Sequence, residues 1–460
     1  MTAEAGTPAR RATPARRRTW LRIGAGLVIL AAAVILPASA LFHADGGREP
    51  VDLTTRFLLA VAVILVVSHL FGEVLRKLRQ PPVLGEILGG LVLGPSVLGL
   101  VWPEAAAWLF PAGVVENLDK AAQLGLVVFM FLLGCELRTD RIPSRGAVGA
   151  VVLSGMGLPF AAGVGIALAA TPALAGDGAT TAMYALFFGL ALAITALPVL
   201  ARILLDLGQD RTDVGALSVS SAAIGDGLAW LVLTFILAST GEGDGRGLEV
   251  AALAVALVLV TYLCVRPALA VLVRRMHSEQ LLTVVLVAGA IAFSALTTTI
   301  HLHPVIGAFL FGTAVPRDSP TVDRISHRLQ GFTLLILLPL FFAGVGLQTS
   351  IGLLGGTAGH WLLFAGVLLA AQLTKLAGAG GGALLAGLPR GQALQVGVLM
   401  NCRGVTELVI ATIGLRHGLI SPLGFTMLVL VAVITSAVTG VAMRYLIRRA
   451  PRHPTASTGG

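Results

Sequence analysis

Four charged residues stand deep inside apolar stretches of this chain: Asp226, Lys375, Arg403 and Glu407. Asp226 is the only charged residue between Val214 and Ser239, in the stretch SAAIGDGLAW. Lys375 is central in the run 359–388, and Arg403 and Glu407 share VLMNCRGVTEL (398–408). A charge at the centre of a membrane helix costs ~2.5–3.5 kcal/mol on insertion scales. Such groups must therefore pair or carry out chemistry. A carboxylate beside a water-filled crevice can take up a proton or a small hard cation through the same oxygens. Competition for that one carboxylate couples two ion flows. The structural alternative is a salt bridge between Asp226 and Lys375 that staples two helices. For Arg403 and Glu407, spaced i,i+4 on one helix face, it is a pair that neutralises helix ends. Asp226, with Gly225 beside it, reads best as a shared site for a cation and a proton.

Holding these charges requires a membrane fold. The chain has 460 residues, 56% hydrophobic and 12% charged, against roughly 25% charged in soluble domains. Apolar runs near 20 residues recur along its length, each about enough to cross ~30 Å of hydrocarbon. The ~10-residue alternating segments of a β-barrel do not occur. The net charge of +9 does not point to nucleic acid. Six arginines crowd residues 10–22, and Arg444, Arg448, Arg449 and Arg452 lie at the other end. This is the pattern of cytoplasmic flanks. Cys135, Cys264 and Cys402 are far apart in apolar runs and form neither a disulfide framework nor a zinc site.

The expected spans are 21–42, 53–77, 81–100, 115–137, 146–170, 180–207, 213–240, 248–273, 278–301, 304–316, 324–349, 359–388, 391–418 and 422–448. With both termini inside, Lys and Arg gather in the inner loops, and Asp and Glu dominate several outer ones. The first segment also resembles a signal peptide ending at Ala38-Ser39-Ala40; its long apolar stretch favours a retained helix. The fold class is thus an all-α polytopic membrane protein with 13–14 transmembrane helices.

Internal echoes divide the chain further. PPVLGEILGG (81–90) is matched by HPVIGAFLFG (303–312), and VVFMFLLGCELRT (127–139) by LILLPLFFAGVGLQTS (335–350). Each copy runs opposite to its echo, the signature of an inverted-topology repeat in secondary transporters. The predicted organisation is a basic tail (1–20), an extra helix and loop (21–52), a first repeat (53–240), a linker helix (241–277), a second repeat (278–448) and a short tail (449–460). In each repeat one helix is interrupted at the same ordinal position. Pro198 in AITALPVLARIL removes a backbone donor, and Asn401 to Gly404 break the second. Unwound backbone at membrane depth is tolerated only within protein or beside a wet cavity.

At these residues the chain resembles the monovalent cation–proton antiporter-2 family, which includes Kef-type transporters and plant cation/H+ exchangers. The matching stretches are QPPVLGEILGGLVLGPSVLG (80–99), FMFLLGCELRTD (129–140), ITALPVLARIL (194–204), SSAAIGDGLAW (220–230), PLFFAGVGLQTS (339–350) and NCRGVTELVIATIG (401–414). The resemblance spans roughly residues 53–448. It implies two inverted six-helix repeats with two crossed broken helices, a dimerisation bundle and a mobile core. It further implies that Asp226 is the transport carboxylate, Lys375 its intramembrane partner, and that Thr195, Arg403 and Glu407 support the site. Members often carry Asn-Asp or Asp-Asp where this chain has Gly225-Asp226. One carboxylate there makes one-for-one exchange the expectation. Eleven residues follow Arg449, so the Kef-type nucleotide-binding domain is not expected.

The expected activity is exchange of Na+ or K+ for protons at a plasma or inner membrane, in the service of pH homeostasis. No cofactor is called for; the partners are lipid, the two ions and a second copy of the chain. Two other classes compete. One is a proton-coupled exporter of a larger organic cation. The other is an intramembrane aspartyl protease, for which Ala223 replaces the first glycine of G-x-G-D and no second central aspartate completes a dyad.

Overall fold

Short polar side chains stand just before several apolar runs and start helices there. Asp52, Ser144, Thr180, Ser278 and Ser319 each accept a hydrogen bond from the backbone amide three residues on. Each satisfies one of the amides that a helix start leaves free. The computed structural model describes residues 51–449 apart from 79, 137–143, 178, 210–211, 240–245, 277, 301–303, 317–318 and 356.

In chain order the main helices are α1 (Leu53–Lys77), α2 (Pro82–Leu93), α3 (Ala112–Glu136), α4 (Arg145–Ala169), α5 (Thr181–Ala193), α6 (Leu197–Leu207), α7 (Asp213–Ser239) and α8 (Arg246–Val260). They are followed by α9 (Glu279–Thr299), α10 (Pro304–Ala314), α11 (Pro320–Phe332), α12 (Leu338–Gln348), α13 (Ala358–Leu385), α14 (Arg390–Met400), α15 (Val405–Arg416) and α16 (Pro422–Arg449). Two π turns carry helices onward: Thr261–Val265 extends α8 into Arg266–Arg275, and Thr333–Leu337 joins α11 to α12. Pro267 and Pro339 follow them. Each proline lacks the amide that an ordinary helical turn would use, and the wider turn absorbs the mismatch.

Among the described residues ten helical stretches are long and apolar enough to cross a membrane, or eleven with the bent pair α14–α15 taken as one span. Helices α5 and α10 are shorter and apolar. The expected spans between 53 and 448 all fall on these helices. The span expected at 21–42 and the tails lie outside the described residues. The chain is a multi-pass α-helical membrane protein.

Between helices in lipid there is little hydrophobic drive, and close backbone approach through small residues substitutes for it. Helix α2 lies along α12, and α10 along α3. A β-carbon on Gly346 would overlap the Gly90 backbone, and one on Gly312 would overlap the Phe131 carbonyl. Helix α4 runs along α13, where Ser154 Oγ donates to Gly378 O at 2.7 Å. Helices α1–α3 and α9–α12 pack mainly on one another, as do α4–α7 and α13–α16. Helix α16 touches α2 and the Ile351–Leu353 turn where these two groups meet. In the second group, the loop before α5 is clipped to the loop after α15. Ser421 N donates to Leu174 O (2.9 Å), Gly176 N donates to Leu419 O (3.3 Å), and Ser421 Oγ donates to Ala173 O (2.9 Å).

Candidate functional site

The site is built where two interrupted helices cross. Helix α5 stops at Ala193, and Ile194 is extended, with φ −72 and ψ 149. Helix α6 resumes at Leu197, so Pro198 sits in its first turn, where a missing amide costs nothing. The break therefore precedes Pro198 and does not centre on it. Helix α14 stops at Met400 and α15 resumes at Val405, with the two halves bent by 41°. The breaks bond to each other: Ala196 N donates to Cys402 O at 2.9 Å, and Thr195 Oγ1 donates to Met400 O at 2.8 Å. Gly404 lies so close to the other break that a β-carbon would stand 2.7 Å from Val199 Cγ2.

A helix end carries partial charge, negative at the carbonyl end and positive at the amide end. Here real charges of opposite sign meet those ends. The last carbonyls of α5 receive two cations. Arg403 donates to Ala191 O (3.0 Å) and Leu192 O, while Lys375 Nζ donates to Ala193 O. Arg403 Nη1 also reaches Glu407 Oε1 at 3.1 Å, with both side chains fully buried. Glu407 occupies the first turn of α15, the end that favours an anion. Ser436 on α16 holds the break itself, accepting from Arg403 N at 3.0 Å and donating to Arg403 O.

Asp226, buried on α7, faces both resumed half-helices. Thr406 Oγ1, in the first turn of α15, approaches its Oδ2 at 3.5 Å. Leu197, at the start of α6, also faces its carboxylate. Its Oδ1 has no hydrogen-bond partner. Gly225 beside it faces Met156, whose Sδ would lie 3.3 Å from a β-carbon there. Asp226 and Lys375 are close enough for their charges to interact, yet they make no direct ion pair; the Nζ is spent on Ala193 O. Asn401 Nδ2 donates to Gln372 Oε1 on α13, leaving its buried Oδ1 without a partner. Glu86 is half-buried within α2.

Every residue singled out from the sequence for the site thus lies at or beside the crossing. Three contributors were missed: Thr406, Ser436 and Gln372. A polar residue in an apolar run was the only available signal, and the chain has many that merely bond back to their own helix, as Thr412 does to Leu408 O.

Crossed, interrupted helices around buried charges define a membrane transporter. Residues 60–449 match the model of the transmembrane sodium/hydrogen exchanger family, and the chain belongs to that family, one of transporters and not of enzymes. The Na(+)/H(+) antiporter NhaS4 of Synechocystis sp. is 33% identical over 400 residues, covering 85% of this chain and 97% of that protein. Cation/H(+) antiporter 19 of Arabidopsis thaliana is 33% identical over 392 residues, covering 83% of this chain and 48% of the relative. The chain thus spans about half the length of the plant relatives it matches. The sodium proton antiporter MjNhaP1 from Methanocaldococcus jannaschii superposes with a TM-score of 0.63 at 14% identity, covering 86% of this chain and 99% of that one; the fold is shared.

Proposed function

We propose that this protein exchanges a monovalent cation, Na+ or K+, for protons by alternating access, with Asp226 as the shared binding group. The observation that carries this reading is the Asp226 carboxylate itself: buried, faced by two helix amide ends, and with Oδ1 unpartnered. A buried carboxylate held that way requires a positive occupant, and a proton and a hard cation both suit it. Thr195, at the first break, supplies a further oxygen. Lys375 and Arg403 cover the negative end of α5, so an arriving cation is drawn to Asp226 and not to the carbonyls. Glu407 is neutralised by Arg403 and supports the crossing.

The two repeats, 53–240 and 278–448, are read as inverted copies. Their support is reciprocal packing: α2 on α12 against α10 on α3, α4 on α13, and one broken helix on the other. In this reading the helices α4–α7 and α13–α16 move as a body against the rest. The transporter works as a homodimer in a plasma or inner membrane with both termini cytoplasmic.

Purified protein in proteoliposomes with a proton-sensitive dye tests the function. Imposed Na+ or K+ gradients should drive dye recovery, and Asp226→Asn should abolish it while leaving insertion intact. Recovery driven only by bulky organic cations would assign the organic-cation export reading. Normal flux in a well-inserted Asp226→Asn variant would remove the carboxylate from the mechanism.

A further inference from the structure

Helix α15 carries the second broken helix's resumed half, and along one face it presents Val409, Thr412, Ile413 and Arg416 to a cleft. The opposite wall is built from α3 and α12, with Asp119, Gln123, Phe341 and Gln348 among its residues. These walls belong to different helix groups, since α15 packs mainly on α16, α5 and α6, whereas α3 packs on α10, α12 and α1. One ion pair closes the mouth between them: Arg416 Nη2 lies 3.0 Å from Asp119 Oδ2. The side chains are 40% and 33% exposed, and Arg416 is the last residue of α15, at the end of its span.

We propose that Asp119 and Arg416 form a latch between the two helix groups, closed in this structure and broken each time the cleft opens. The inference rests on the alternating-access reading above. Thr412 lies one helical turn below Arg416 and only 7% of it is exposed. Any motion that separates α15 from α3 must pull the guanidinium from the carboxylate before Thr412 meets water. An ion pair this accessible holds weakly, which suits a contact made and broken in every cycle. A buried pair at the same place would stall it, because breaking one leaves a desolvated charge behind.

The test places a cysteine at the cleft wall, Thr412→Cys, and follows its modification by a water-soluble maleimide with site-resolved mass spectrometry. The native cysteines then need no replacement. Asp119→Asn and Arg416→Gln should each speed labelling by roughly two- to fivefold, the range an exposed ion pair supports. The exchanged pair, Asp119→Arg with Arg416→Asp, should return labelling towards the original rate. Unchanged labelling in either single variant, or a swap that labels as fast as the singles, would overturn the latch. Because labelling requires no transport, it is read separately from flux. Absent wild-type flux counts against the antiport reading, while intact flux with indifferent labelling counts against the latch alone.

Discussion

At the residue scale the site sorts its charges by helix end, and each charge can be tested for the work it does. Lys375 Nζ is bonded to Ala193 O and stands off from Asp226. Removing its positive charge takes away a field that helps Asp226 release its proton, so Lys375→Met should move the pH–activity profile towards alkaline values. If Lys375 only caps α5, the same variant should lower the thermal midpoint and leave the profile where it was. Arg403 is different, because its fork serves Ala191 O, Leu192 O and Glu407 together. Arg403→Ala strands a buried carboxylate and should cost about 3–5 kcal/mol, read by thermal unfolding in detergent. Arg403→Lys should recover only part of this loss, since an ammonium cannot reproduce the planar fork. The double variant Arg403→Met with Glu407→Met should be more stable than Arg403→Ala.

At the scale of elements, the decisive geometry is the contact of one break with the other. Gly404→Ala drives a methyl into Val199, and overpacking of this kind costs roughly 1–3 kcal/mol. Val199→Ala should restore most of it, so a double-mutant cycle on thermal stability would give a coupling of the same order. Additive losses would mean that the breaks do not touch as described. The spans themselves were legible in the sequence because length and apolarity alone determine them. The second break was legible too, since Asn401 to Gly404 is polar and glycine-bearing. The first was read from Pro198, yet the chain unwinds at Ile194–Ala196, a stretch with no breaker residue. It is extended because Cys402 O and Met400 O offer bonds from about 200 residues away, and no local pattern records such partners. Ser436 escaped for a related reason: its neighbour Thr435 bonds back to Val431 O, while Ser436 bonds across to Arg403. Residue type does not separate the two behaviours.

On the scale of the whole molecule, one carboxylate at the Gly225–Asp226 position makes one-for-one exchange the expected stoichiometry. Flux should follow the pH and cation gradients and barely respond to a membrane potential, although one net charge through 100 mV would be worth ~2.3 kcal/mol. Imposing a valinomycin potential on Na+-loaded vesicles measures this, once K+ has been excluded as a substrate. Strong voltage dependence that disappears in Glu407→Gln would assign a second carried proton to that residue. The capping of α5 also has a consequence in time. Its carbonyls at Ala191 and Leu192 are satisfied by a side chain 211–212 residues further along. A ribosome adding roughly 5–20 residues per second needs roughly 10–40 s to deliver it. Through that interval α5 has reached the membrane with the Ala191 and Leu192 carbonyls lacking their Arg403 donor, so nascent chains arrested before Arg403 should depend on an insertion chaperone and be degraded without one, whereas chains released after Ser436 should not.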